Sequence, residues 1–119
     1  MASRDAGAPL DRSIIGQVSG GDSSAERELV RRFLAFNEHD ARMLGNAIGR
    51  QDKELTLLVA QRMKASAEAI GAAPLAQACE RVAVAVARGD WNRVVGAMAD
   101  VRAEGERLQG FLRGAYPES

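Results

Sequence analysis

A chain of 119 residues with 16 basic and 16 acidic side chains has the length of one domain, and it carries no net charge to steer it toward nucleic acid or an anionic membrane surface. No apolar run is long enough to cross a bilayer, residues 1–9 lack the apolar middle of a signal peptide, and the single cysteine, Cys79, cannot form an internal disulfide. A reducing cytoplasm is the compartment these features imply. Scarce aromatics (4%) beside abundant Ala, Leu, Val and Arg favour helix.

Residues 1–9 read as a tail or linker, and residues 10–116 as one helical domain. Leu10, Ile14, Ile15 and Val18 follow Asp11, a candidate N-cap, and predict a short first helix ended by Gly20-Gly21. Asp22, Ser23 or Ser24 can cap the next helix, expected over 22–49. Its apolar positions Leu29, Val30, Phe33, Ala41, Leu44, Ala47 and Ile48 recur at helical spacing, with Arg27, Arg31, Glu38 and Arg42 on the other side. Asp52 is a candidate cap for a helix over 53–71, with Leu55, Val59, Met63, Ser66 and Ile70 on one side and Gly71 ending or bending it. Pro74 suits the first turn of a helix over 74–88, whose buried stripe is Leu75, Ala78, Cys79, Val82, Ala83 and Val86. Gly89-Asp90-Trp91 is a compact break. A last helix over 91–115 carries Val94, Val95, Met98, Val101, Leu108, Phe111 and Leu112 inward, with Trp91 packed at the bundle end. No stretch alternates with period two. The expected fold is all-α: an antiparallel up-down-up-down four-helix bundle with a short extra N-terminal helix.

Residues at i, i+3, i+4 and i+7 share a helical face, so Gln61, Lys64, Ala65 and Glu68 form one stripe. It points away from Val59, Met63 and Ile70 and is expected to be solvent-exposed in mid-helix. Leu57, one turn before Gln61, is expected near the same face. The lone His39 reads as a surface side chain, and with no second histidine and no cysteine pair the chain offers no metal site. No glycine-rich phosphate-cradling loop is present. Cys79 reads as a small buried hydrophobe.

The run Gln61-Arg62-Met63-Lys64-Ala65-Ser66-Ala67-Glu68-Ala69-Ile70-Gly71 resembles the signature of histidine phosphotransfer domains. That signature is a histidine, a lysine three residues on, a glycine four residues on, small residues, then an aliphatic residue and glycine. Lys64, Ser66, Ala67, Ile70 and Gly71 fall in place; Gln61 takes the histidine position and Ala65 the first glycine position. Leu75 and Cys79 downstream, the Gly89-Asp90-Trp91 turn, Phe33-Leu34 and the run from Asp40 to Ile48 are similar to other parts of the family pattern. Leu10-Asp11 and Gly20-Gly21-Asp22 look like the start of such domains where they end hybrid sensor kinases. The likeness covers about residues 10–113.

The resemblance implies a bacterial two-component phosphorelay module, cytoplasmic by itself or as the C-terminal domain of a membrane sensor kinase. Its partner would be the receiver domain of a response regulator or hybrid kinase, bound through Leu57, Gln61, Lys64, Ala65 and Glu68. No cofactor, nucleic acid or direct membrane contact is implied. Gln61 departs from the pattern in the one place that matters for chemistry. Its amide lone pair is delocalised, so it is no nucleophile, and the domain is expected to dock receivers without accepting phosphate and not to act as an enzyme. Glu68 puts negative charge on a face that would meet phosphate. Two alternatives remain open. One is a genuine phosphotransfer domain of a hybrid sensor kinase in which the histidine was changed to Gln by engineering, a single-base change. The other is a helical interaction or dimerisation domain outside any phosphorelay.

Overall fold

The structure, a computed structural model, describes residues 8–117, and every regular element in that span is a helix. Its elements are α1 (Arg12–Ser19), α2 (Ser23–Gly49), α3 (Lys53–Ala69), α4 (Ala73–Ala87) and α5 (Trp91–Ala115), with no strand among the described residues. Of the expected tail, residues 1–7 lie outside the described residues. Leu10, at its boundary, is already in the core at 4% exposure.

Four of the five helices start on an aspartate whose carboxylate takes up amides that have no partner within the helix. Asp11 accepts from Ser13 N, Asp22 from Ser24 N and Ala25 N, Asp52 from Leu55 N, and Asp90 from Arg93 N. Each such cap is worth about 1 kcal/mol relative to alanine. Helix α4 has no side-chain cap; Pro74 in its first turn fixes the backbone and has no amide to satisfy. The turns between α2 and α3, α3 and α4, and α4 and α5 are each a few residues long, which forces consecutive helices to be neighbours.

Helix α3 packs on α2 and α4, α4 on α5, and α5 back on α2, so the four long helices close a ring around one core. Leu44, Val59, Leu75, Val82, Val86, Val94, Val101, Leu108 and Leu112 fill it, all essentially inaccessible. Cross-helix polar pairs join residues nearly equidistant from the intervening turn: Asp40 with Arg62, Lys64 with Glu80, and Arg81 with Asp100.

Helices α2 and α5, of 27 and 25 residues, outlast α3 and α4, of 17 and 15. The step this leaves is filled by α1. Ile15 is fully buried there, Asp11 N donates to Gly71 O at 3.0 Å, and Ile14 packs on Gly71. Arg12 lies 5.0 Å from the centre of the Tyr116 ring, and the Tyr116 hydroxyl donates to Glu26 Oε1 at 2.8 Å. One small helix thus ties together the start of α2, the α3–α4 turn and the end of α5.

Two expected positions are corrected, Val95 in the core and Leu57 on the exposed face. Val95 is 60% exposed, because the inward line of α5 runs through Val94, Ala97, Met98 and Val101. Leu57 is half-buried and packs against the core, while Leu58 is the leucine turned outward, at 58% exposure.

Candidate functional site

The inward line of α3 is Thr56, Val59, Ala60, Met63 and Ala67, continued by Ile70. With 100° between successive residues, the opposite line passes through Leu58, Gln61 and Ala65, and all three are exposed. Gln61 lies eight residues from either end of α3, which runs from Lys53 to Ala69. Such a position is held by the bundle on both flanks and open in front. Glu68, one turn after Lys64, is also exposed.

Lys64 departs from the expectation that the whole stripe is solvent-exposed. It is half-buried, and its ammonium donates to Glu80 Oε2 on α4 at 2.5 Å. The hydrogen bond to Glu80, the charge of Glu80 and the charge of Glu68 together raise its pKa above the ordinary lysine value. On the other flank, Arg62 donates to both oxygens of Asp40 on α2, at 2.8 and 3.2 Å, and to Met43 Sδ at 3.6 Å. Asp40 is one of only two buried polar residues recorded in the described chain, at 6% exposure. The two ion pairs join α3 to its neighbours on either side of Gln61.

Beside this face, along the α2–α3 seam, runs an open groove of about 420 Å³ lined by Phe36, His39, Asp40, Met43, Arg62 and Ser66. Phe36 is 66% exposed, and His39 is exposed on the same helix. Leu58, Phe36, Arg62 and Glu80 were not singled out from the sequence. The missed signal in α3 lies in its small residues: once Thr56, Ala60 and Ala67 are counted as inward, the outward direction rotates from Leu57 to Leu58.

The amide nitrogen of Gln61, its lone pair delocalised, is not basic. Cys79 is buried in the core, and burial pushes its thiol up to about 12, so it is protonated and inaccessible at neutral pH. Among the described residues no group of three or more His, Cys, Asp or Glu side chains is placed to hold a metal ion, and no helix is long and apolar enough to cross a membrane.

No family model matches the chain, and no curated protein matches it. Among solved structures it is similar to the crystal structure of histidine-containing phosphotransfer protein B from Pseudomonas aeruginosa, with a TM-score of 0.85 at 18% identity, over 93% of this chain and 96% of that one. At that identity the likeness is one of fold: the helical bundle of this chain is that of a histidine phosphotransfer protein.

Proposed function

We propose that this chain is a phosphorelay docking module: it binds the receiver domain of a response regulator or hybrid kinase through the Gln61 face and does not accept phosphate. The observation that carries this reading is the placement of Gln61, exposed at the middle of α3 in a bundle of phosphotransfer type, with exposed Ala65 one turn on. An acceptor on such a helix must stand clear of the bundle so that a partner's aspartyl phosphate can approach in line. The geometry is retained here and the acceptor nitrogen is not.

Several finer points belong to the same reading. The pairing of residues equidistant from each turn supports an antiparallel up-down-up-down order of α2 to α5. The docking residues are Gln61, Ala65 and Glu68 at the centre, Lys64 at the α4 flank, and half-buried Leu57 at the edge. Small Ala65 keeps the centre accessible to a partner backbone. Glu68 repels an anionic partner and so favours the unphosphorylated receiver. The module acts in the cytoplasm, alone or attached to a hybrid sensor kinase, as a competitor or scaffold and not as an enzyme.

Incubation with a phosphorylated receiver tests the chemistry. The chain should gain no acid-labile phosphate, and Gln61→His should gain it, slowly, because Ala65 and Glu68 remain. Label on the unchanged chain that vanishes on replacing His39 would overturn the assignment of the face.

A further inference from the structure

The two cations that flank Gln61 are both occupied, but not equally. Arg62 is held by two hydrogen bonds to Asp40, whose side chain is only 8% accessible, so this pair is part of the packing between α2 and α3. Lys64 is held by one carboxylate oxygen of Glu80, and both side chains are well hydrated, at 36% and 45% accessibility. An ion pair in that setting is weak and exchangeable, because water screens the attraction and both side chains regain rotamer freedom when it opens. Glu68 lies one helical turn from Lys64 and adds a second carboxylate to the same cation. Lys64, Glu68 and Glu80 together carry one positive and two negative charges.

We infer that Glu80 is a specificity residue of the Gln61 face: it occupies Lys64 in the place an anionic partner group would take, so that a phosphate-bearing surface must displace a carboxylate to reach the lysine. This rests on the docking reading above and adds the residue that sets its preference. Glu80 lies on α4, outside the stripe that repeats along α3, and acts on a partner only through Lys64. It is therefore a positioning residue and not a contact of the stripe. A phosphorylated receiver brings more negative charge to Glu68 and the displaced Glu80 than the same receiver does unphosphorylated, and like charges brought together at an interface are disfavoured.

Two measurements on the unchanged chain, Glu80→Gln and Glu80→Gln/Lys64→Met test this. In the first, inorganic phosphate is titrated while the NMR signal of the Lys64 side chain is followed. Glu80→Gln should respond at a phosphate concentration at least five-fold lower than the unchanged chain; equal responses overturn the inference. In the second, affinities are measured for a receiver with and without beryllium fluoride as a phosphate mimic. Glu80→Gln should shift the ratio at least five-fold toward the fluoride-bound form, and the shift should disappear when Lys64 is also replaced. A ratio that stays fixed, or a shift that survives loss of Lys64, overturns it. If no variant binds any receiver, the docking reading fails while the phosphate titration still decides the role of Glu80.

Discussion

Asp40 on α2 accepts two hydrogen bonds from the guanidinium of Arg62 on α3, and it does so from a site where it is 6% exposed. A buried carboxylate is tolerated only when its lone pairs are engaged, and the planar fork of arginine meets both oxygens at once. Arg62 itself is half-exposed, which limits the gain. Asp40→Ala should therefore lower stability by about 1–2 kcal/mol, read as a lower urea midpoint with an unchanged slope. Arg62→Lys should recover only part of it, since an ammonium offers no fork. An unchanged midpoint in Asp40→Ala would mean that the pair contributes nothing to the α2–α3 packing.

Gly71 should not tolerate a side chain. Its φ is +81°, and a Cβ there would lie 3.0 Å from Asp11 O and 3.1 Å from Ile14 Cδ1. Both the left-handed backbone and the approach of α1 oppose it. Gly71→Ala should cost about 1–3 kcal/mol and lower the thermal midpoint by several degrees. Because the clash is with α1, hydrogen exchange should rise first in residues 12–19.

Thr56 is fully buried on the inward line of α3, and its hydroxyl has no hydrogen-bond partner among the described residues. Thr56→Val replaces the hydroxyl with a methyl of similar size and removes an unsatisfied polar group. The expected result is a gain of about 1 kcal/mol in chemical denaturation. A loss of that size would show that the hydroxyl is engaged by water or by a backbone carbonyl.

Cys79 gives a pH signature. Burial raises its thiol from 9.0 to about 12, so in alkaline solution the unfolded chain releases a proton that the folded chain keeps. Its contribution to stability is complete below about 9 and is lost as pH rises toward 12. The stability difference between the unchanged chain and Cys79→Ala, set at neutral pH by packing, should narrow over that window. A thiol reagent at pH 8 should modify Cys79 only as fast as the chain unfolds.

The helices were legible because their signals are local. Aspartates at 11, 22, 52 and 90 announce the starts that they cap, and the spacing of Val59, Met63 and Ile70 places α3 the right way round to expose Gln61. The rotation of α3 was legible only to within one residue. Thr56, Ala60 and Ala67 carry little hydropathy, yet all three are fully buried, and they turn Leu58 outward in place of Leu57. Val95 was misplaced for the matching reason: it is strongly apolar but lies beside the inward line and not on it. The partners of Arg62 and Lys64 were not legible at all. Asp40 and Glu80 lie 22 and 16 residues away, on other helices, and only the packing of the bundle brings them within reach.

The central claim is that the outward face of α3 binds a receiver domain. The most direct measurement is an NMR titration of the labelled chain with a panel of unphosphorylated receivers. At least one should bind with micromolar affinity, about −8 kcal/mol, and shift the signals of Gln61, Ala65, Glu68 and Leu58. Ala65→Trp, at an exposed position, should abolish those shifts while leaving the thermal midpoint within a few degrees. A panel in which no receiver moves the signals of this face, or one in which Ala65→Trp binds as well as the unchanged chain, would contradict the claim and favour a helical interaction domain outside any phosphorelay.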